Sequence, residues 1–336
     1  MMKPMIGDLE KSMPLEEIIN RQGIIISAPA SGAGKTTVTL GLINAFARKG
    51  SVQPFKSGPD YIDSKFQSVA ADRPSYNLDT WAMSSSDILN MIGMVGPSDI
   101  CIAEGSMGLF DGVISKGAGG NGSTADLASI TNWPVILVVD CAKQAQSVAA
   151  LIAGFNSFRH DITIGGVILN NISSKRHEAL VVSEVSKTKV PILGVIPRSN
   201  ELTIPERHLG LVQAEDLSDL EQLIFKLGTL IEENCDLEAI ACTARNSFPP
   251  ISTLQKITPP AQRIAIARDN AFTFTYSHLI EGWKNQGAEI SFFSPLNDEP
   301  PSKGDDMVWL PGGYPELYLG RLSECKNFKH GLIDFS

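Results

Sequence analysis

The sequence predicts an α/β fold in which a doubly wound parallel sheet carries a phosphate-binding loop. Short apolar runs alternate with amphipathic segments from residue 23 onward, which is the pattern of β-α-β units. The strand candidates are apolar at nearly every position, so both faces of the sheet should be buried. A Gly-rich stretch at 27–37 lies between the first strand and the first helix, where such sheets bind ligands.

Residues 23–245 are predicted to form one domain, preceded by an N-terminal extension at 1–22 with a helix at 15–21. Length and periodicity separate the strands from the helices within it. The predicted strands cover residues 24–28, 52–55, 100–103, 135–139, 166–169 and 192–195, and the predicted helices cover residues 38–48, 86–94, 125–131, 145–158, 174–186 and 217–233.

A second α/β domain is predicted for residues 263–336, after a linker at 246–262 that contains two Pro-Pro pairs. About 75 residues are few for an independent domain built on parallel strands, so we expect this domain to be incomplete. Its predicted elements are strands at 263–268, 289–293 and 307–310 and a helix at 274–286.

The composition is that of a globular protein, with 43% hydrophobic and 19% charged residues among 336. The 28 basic and 37 acidic residues give a net charge of -9, so a nucleic-acid surface is not expected. The five Cys form no Cys-x-x-Cys pair, which suits a reducing compartment. There is no signal-peptide pattern and every apolar run is short, so we expect a cytoplasmic protein without a membrane partner.

The stretch at 27–37 is interpreted as a nucleotide-binding loop. Backbone N–H groups at the helix N-terminus would face a phosphate, Lys35 would reach the outer phosphates, and Thr36 would ligate Mg²⁺. The usual motif has a Gly six residues before the Lys, where this chain has Pro29. We therefore predict ATP and Mg²⁺ as cofactors. The predicted nucleotide-binding residues in the loop are Ser31, Gly32, Ala33, Gly34, Lys35, Thr36 and Thr37.

Acidic residues follow the second and third predicted strands, beside this loop. Asp60 and Asp63 lie on a Gly-Pro turn near Lys56, Glu104 ends the third strand, and Asp111 follows in a Gly-rich stretch. Mg²⁺ prefers a few carboxylates together with phosphate oxygens. The alternatives are an Asp-capped turn leading into a helix at Asp60, and a helix cap at Glu104. The predicted metal ligands are Thr36, Asp60 and Glu104.

Three further segments are candidates for ligand contact. Asn170 follows the fifth strand, and its amide would either read an adenine edge or form a turn. Arg198, Arg207 and His208 follow the last strand and would either bind an anion or be solvated at the surface. The Gly-rich stretch at 117–124 is expected to be a mobile loop over the site, and its Ser-Thr end to cap the next helix.

Taken together, these segments resemble cobyrinic acid a,c-diamide synthases, enzymes of corrin-ring (vitamin B12) biosynthesis. The motifs occur in the family's order from about residue 24 to the C-terminus, which is far more specific than a phosphate loop alone. The matching stretches are SAPASGAGKTT, FKSGPDYID, NLD, EGSMGLFDG, ILNNISSKRH, IPERHLGL, RIAIARDNAFTFTY, FFSPLNDE and LPGGYPELY.

The resemblance implies a dethiobiotin synthetase-like fold for residues 23–245 and an incomplete class I-like glutamine amidotransferase for 263–336. It implies an ATP-dependent ligase that phosphorylates the a and c acetate carboxylates of cobyrinic acid, after which ammonia attacks the acyl phosphate. Lys35 and Mg²⁺ would offset the charge on the phosphates, and Asn170 would face the adenine. The residues that the resemblance places near the substrate carboxylate are Tyr61, Asp63 and Asp111.

The second domain departs from the family pattern at its nitrogen-supplying site. In the family, a Cys on a strand-to-helix elbow with Gly neighbours releases ammonia from glutamine. Cys325 lies instead in a polar, helix-like stretch, and His330 is only five residues further on. We interpret both as structural or solvent-facing, and expect amidation from ammonia rather than from glutamine. Whether the chain is a fragment or has lost its glutaminase stays open.

Several alternatives remain open at this point. The same chemistry could act on hydrogenobyrinate or nickel sirohydrochlorin. A ParA- or MinD-like ATPase switch is disfavoured. Those proteins carry an extra Lys near the start of the phosphate loop, and residues 28–31 of this chain contain no Lys. A non-catalytic remnant is the third alternative. The expected partners are a corrinoid and glutamine or ammonia, and a homodimer is one option for the oligomeric state.

Overall fold

The computed structural model describes residues 21–199, 220–247 and 257–335, which contain two parallel sheets with helices packed against them. The strands of the first sheet are β1 (Arg21–Ser27), β2 (Val52–Ser57), β3 (Tyr76–Leu78), β4 (Ile100–Glu104), β5 (Val135–Asp140), β6 (Ile164–Ile172), β7 (Ile192–Pro197) and β8 (Arg245–Ser247). Its helices are α1 (Lys35–Ala47), α2 (Tyr61–Ala71), α3 (Ser85–Met94), α4 (Thr124–Thr131), α5 (Val148–Phe158), α6 (Lys175–Val185), α7 (Leu220–Asn234) and α8 (Leu237–Thr243).

The first sheet has the strand order β3-β2-β4-β1-β5-β6-β7, and β8 pairs antiparallel with the start of β1. The other neighbours are parallel, with Ile26 of β1 opposite Glu104 of β4 and Glu104 opposite Lys56 of β2. Because parallel strands end at the same edge, the segments that follow β1, β2 and β4 meet there. This topology confirms the predicted parallel α/β fold.

Helices cover both faces of the first sheet because the strands are apolar on both faces. Successive side chains of a strand point to opposite sides. Ile24 and Ile26 pack in the cluster that contains α1, α2, α7 and α8, whereas Ile25 packs in the cluster that contains α3 to α6. All three side chains are fully buried, and the doubly wound arrangement is confirmed.

The second sheet has the parallel order β10-β9-β11. Ile264 packs with Trp283 of the helix on one face, and Ala265 packs with Phe328 of a helix on the other. These strands and the central helix confirm the predicted elements, while the division into domains and the amidotransferase assignment stay predictions. The elements of this unit are β9 (Arg263–Ala267), α9 (Ser277–Asn285), β10 (Glu289–Phe293), β11 (Met307–Trp309), α10 (Leu319–Glu324) and α11 (Lys326–Phe335).

Elements at the edges of the first sheet differ from the sequence prediction. Arg21 lies in β1 rather than in the helix predicted at 15–21, and its guanidinium donates to the Val95 carbonyl at 2.7 Å. β8 lies at the end of the predicted domain and the start of the predicted linker. Like β3 and α8, it is too short to leave a periodicity in the sequence. The rest of the helix at 15–21, together with Arg207 and His208, lies outside the described residues.

No helix in the described ranges combines the length and the apolar character that crossing a membrane requires. The helix α7, for example, has 15 residues and keeps charged side chains along its length, whereas a span needs about 20 predominantly apolar residues.

Gly23 gives a first test of this packing. A Cβ atom at Gly23 would lie 2.3 Å from the ring of buried Trp133, which is held by a hydrogen bond from its Nε1 to the Arg21 carbonyl. We expect Gly23→Ala to lower the free energy of unfolding by about 1–3 kcal/mol through overpacking, as measured by urea denaturation. The control is Gly154→Ala in α5, where the described residues place no heavy atom within 4 Å of the added Cβ apart from the adjoining residues and the backbone of the helix itself. This control should be neutral or stabilising by up to about 1 kcal/mol, and equal stability of the two variants would contradict the packing.

Candidate nucleotide-binding and metal site

The loop between β1 and α1 leaves the helix N-terminus without a side-chain cap. Gly34 is the N-cap, with φ of 85°, and it supplies no side-chain hydrogen bond to the first turn. Gly32 also has positive φ, at 79°, a conformation that favours glycine. An anion at this position would receive the backbone N–H groups of the first turn and the positive end of the helix.

Asn170 holds this loop from a neighbouring strand. Its side-chain amide donates to the Ala33 carbonyl at 3.0 Å. A Cβ atom at Gly34 would lie 2.3 Å from the same amide nitrogen, so only glycine fits there. Asn170 lies within β6, so the alternative of a turn-forming Asn is wrong. Its predicted contact with adenine stays a prediction.

Glu104 is the buried centre of the site. It ends β4 with no exposed surface, and the Thr36 hydroxyl donates to its Oε1 at 2.7 Å. The Gln67 amide of α2 donates to Oε2 at 2.8 Å. Glu104 therefore joins the first turn of α1 to α2 rather than capping a helix, and the capping alternative is wrong.

Lys56 supplies the positive charge that this buried carboxylate requires. Its Nζ lies 2.7 Å from Asp63 Oδ2 and 3.3 Å from Glu104 Oε1, and it also donates to the Gly105 carbonyl at 3.4 Å. Burial alone would lower the pKa of Lys56, but the negative charges of Glu104, Asp63 and Asp60 outweigh it and raise that pKa. Lys56 is therefore a permanent cation between two acidic residues.

Lys35 lies at the start of α1 and donates to the Met107 carbonyl at 3.2 Å. Burial and the positive charge of Lys56 lower its pKa, against the opposing effect of Glu104 and other carboxylates. A phosphate bound at the loop would raise the pKa of Lys35 again, because an anion stabilises the protonated lysine.

Asp60 is the N-cap of α2, which agrees with the alternative interpretation of an Asp-capped turn leading into a helix. Its Oδ1 accepts from Ile62 N at 2.9 Å and from Asp63 N at 3.1 Å. Burial and the neighbouring Asp63 raise the pKa of Asp60. Asn77 of β3 donates to the carbonyls of Gly58 and Asp60 at 2.8 and 3.0 Å, which fixes the turn before the helix.

Asp111 accepts from Gly108 N at 2.9 Å. A Cβ at Gly108 would lie 2.7 Å from the Pro29 carbonyl, so this stretch packs against the phosphate loop. Backbone hydrogen bonds hold the stretch at 117–124 against the turn after β3. In these bonds, Ala118 N and Gly119 N donate to backbone carbonyls of that turn. Its predicted mobility stays a prediction, whereas Ser123 caps α4 as expected. Arg198 is exposed after β7.

Tyr61 begins α2 but faces the second unit. Its ring stacks on Phe274 with centroids 4.4 Å apart and an interplanar angle of 2°, and it lies 4.6 Å from the ring of Tyr276.

The contacts of Glu104 and Lys56 described above bring Thr36, Glu104 and Asp63 into one cluster. Lys35 belongs to it, since the charges of Glu104 and Asp63 act on its ammonium group.

Sequence reasoning missed Gln67 and Asn77 as site residues. Gln67 lies one helical turn after Asp63, which puts both side chains on the same face of α2. That spacing becomes informative only when the stretch is assigned to a helix. Asn77 occurs in a motif that matches the family, but no local pattern reveals that its amide bonds the turn before α2.

The donor atoms fit Mg²⁺. Thr36 Oγ1 and Glu104 Oε1 lie side by side, and both are hard oxygen ligands. Across the described residues, no group of three or more His, Cys, Asp or Glu is arranged to hold a metal by itself. Mg²⁺ needs no such group, since it is commonly bound by one or two carboxylates with phosphate oxygens and water.

Cys325 lies between α10 and α11 and is only 2% exposed. Its Sγ donates to the Arg321 carbonyl at 3.2 Å, and the side chain packs in the apolar cluster with Phe328. This position is not a strand-to-helix elbow. Of the two options given for Cys325, structural or solvent-facing, the buried position supports the structural one.

The fold and this site together define a nucleotide-binding protein of the phosphate-loop class. The family profile described as CobQ/CobB/MinD/ParA nucleotide binding domain matches residues 24–212. Hydrogenobyrinate a,c-diamide synthase of Brucella anthropi is 46% identical over 93% of this chain and 72% of its own length. The chain belongs to the family of these a,c-diamide synthases.

Other relatives agree with this assignment. The hydrogenobyrinate a,c-diamide synthase of Rhodobacter capsulatus is 46% identical over 94% of this chain and 72% of its own, and that of Sinorhizobium sp is 48% identical over 92% and 71%. The solved structure of MinD with Mg-ADP from Pyrococcus horikoshii is 18% identical with a TM-score of 0.37, covering 66% of this chain and 98% of that one. That likeness is too low to support an argument.

The buried charges give a test of the site. Lys56→Met should lower the free energy of unfolding by about 3–5 kcal/mol, because it removes the cation paired with a buried carboxylate. The double variant Lys56→Met with Glu104→Gln should recover part of the loss, as measured by urea denaturation. The control is Lys175→Met, whose side chain is 94% exposed and whose loss should stay below about 0.5 kcal/mol. A Lys56→Met variant as stable as this control would contradict the importance of the pair.

Proposed function

We propose that this protein catalyses the ATP- and Mg²⁺-dependent amidation of the a and c acetate carboxylates of a corrinoid, in cobalamin biosynthesis. The observation that carries the proposal is the hydrogen bond of 2.7 Å between Thr36 and Glu104. It joins the phosphate loop to a carboxylate cluster suited to a metal and to an acceptor group. Family membership supports the choice of a carboxylate acceptor, since the relatives are named a,c-diamide synthases.

The reaction proceeds in two stages that balance in atoms and charge. A carboxylate oxygen of the substrate attacks the γ-phosphorus of ATP, and ADP leaves. Ammonia then attacks the acyl carbon, the C–O bond to phosphate breaks, and one proton of the nitrogen passes to the departing phosphate, so that the amide and inorganic phosphate form. The first stage is necessary because a carboxylate is a poor electrophile and its oxygen a poor leaving group.

The chain's own residues have distinct tasks in this proposal. The backbone N–H groups of residues 31–37 hold the phosphates, and Lys35 offsets charge on the transferred group. Mg²⁺, held by Thr36, Glu104 and Asp60, would neutralise charge on the outer phosphate oxygens. Asn170 would face the adenine. The residues proposed to place the acceptor carboxylate are Tyr61, Asp63 and Asp111.

The names of the relatives favour hydrogenobyrinate over cobyrinic acid as the macrocycle. We propose ammonia as the nitrogen that this chain uses. The support is that Cys325 is buried between two helices and engaged with the Arg321 carbonyl. A cytoplasmic location fits the composition and the Cys usage.

The decisive experiment is amidation by the purified protein. The protein is incubated with ATP, Mg²⁺ and ammonium, with hydrogenobyrinate or cobyrinic acid as acceptor, and the products are analysed by mass spectrometry. We expect a diamide, with one ADP per amide formed and with higher kcat/KM for hydrogenobyrinate. Absence of amide with both macrocycles would overturn the proposed function, and amidation with glutamine would overturn the proposed nitrogen source.

Lys35→Ala gives a second test. Removal of this ammonium from the phosphate loop should reduce kcat for amidation at least about 100-fold, because charge on the transferred phosphate is then uncompensated. The melting temperature should stay close to that of the wild type, since within the described part of the chain the Lys35 side chain donates a single hydrogen bond, to the Met107 carbonyl. The matched control is Lys175→Ala on the exposed face of α6, which should retain wild-type kinetics. Equal activity of the two variants would remove Lys35 from the mechanism.

A further inference from the structure

The N-terminal turn of α2 is held from two sides. Asn77 of β3 bonds it from within the first unit, through the Gly58 and Asp60 carbonyls. Aromatic side chains of the second unit, the one built on β9–β11, also contact this turn. The Tyr276 hydroxyl donates to the Pro59 carbonyl at 3.2 Å, and the Tyr276 and Tyr61 ring centroids lie 4.6 Å apart.

Among the described residues, Phe274 makes the closest ring contact between the two units. Its ring lies parallel to that of Tyr61, with centroids 4.4 Å apart and an interplanar angle of 2°, a stacked arrangement that stabilises aromatic pairs beyond the area they bury. Tyr314, which is 8% exposed, packs edge-on with Phe274, with ring centroids 5.2 Å apart. The aromatic cluster therefore consists of Tyr61, Phe274, Tyr276 and Tyr314.

The aromatic cluster is fixed to the turn after β11. Phe274 N donates to the Gly312 carbonyl at 2.8 Å, and Tyr314 N donates to the Ala271 carbonyl at 3.0 Å. A Cβ at Gly313 would lie 2.0 Å from the Ala271 carbonyl, so the two segments are in direct backbone contact. The orientation of Phe274 is thus set by the second unit.

We propose that Phe274 and Tyr276 are positioning residues for the acceptor-carboxylate site. They act by fixing the turn that carries Asp60, Tyr61 and Asp63, and this inference rests on the proposed function. The second unit thereby completes a site whose reacting groups lie in the first unit. A displacement of about 1 Å at such a turn reduces turnover by roughly 100-fold.

The kinetic test compares Phe274→Ala with Phe292→Ala. Phe292 belongs to the same unit and is 40% exposed, and its ring faces Arg268 rather than Tyr61. For Phe274→Ala we expect kcat/KM for the macrocycle to fall roughly 10- to 100-fold. Phe274→Tyr should restore activity because it keeps the ring. Phe292→Ala should behave like the wild type, and equal kinetics of the two Ala variants would overturn the inference.

A second measurement separates this inference from the proposed function. Hydrogen exchange of a peptide covering residues 58–66 is followed in the wild type and in both Ala variants, without substrate. Faster exchange in Phe274→Ala only, with an unchanged melting temperature, supports the positioning role even if no macrocycle is amidated. Equal exchange in all three proteins would overturn it, whatever the activity of the wild type.

Discussion

The buried ion pair between Lys56 and Glu104 is the interaction on which the rest of the site depends. Glu104 has no exposed surface, and a carboxylate in such a place is tolerated only when it is paired and hydrogen-bonded. Lys56, Thr36 and Gln67 together meet this requirement at distances of 2.7 to 3.3 Å. Strands β2 and β4 and helices α1 and α2 are thereby tied to one carboxylate.

This constraint also explains the position of the phosphate loop. Thr36 lies in the first turn of α1, so its bond to Glu104 fixes where the helix begins. Asn170 holds the loop from the other side through the Ala33 carbonyl. A loop held at Ala33 and at Thr36 offers its N–H groups in a fixed direction, and such preorganisation is what charge stabilisation during phosphoryl transfer requires.

Much of the fold could be predicted from the sequence, because its strong signals are local. The strand at 135–139 is an unbroken apolar run, and the helix N-cap at Ser123 follows a common pattern. The short β8 was missed, since three residues carry no periodicity and its place depends on pairing with β1. The choice between a structural and a solvent-facing Cys325 stayed undecided for a related reason. Its neighbours in sequence are polar, and its apolar contacts come from residues that the chain brings there by folding.

The sequence by itself determined the class of site, because Lys35, Thr36 and the glycines of the loop carry their chemistry in adjacent positions. It also indicated which carboxylates follow which strands. Only the tertiary structure decided how these groups are used. Lys56 pairs with Glu104 because β2 and β4 are neighbours in register, and Tyr61 meets Phe274 across two separate units. Such contacts join residues far apart in the chain, and no local pattern in the sequence encodes them.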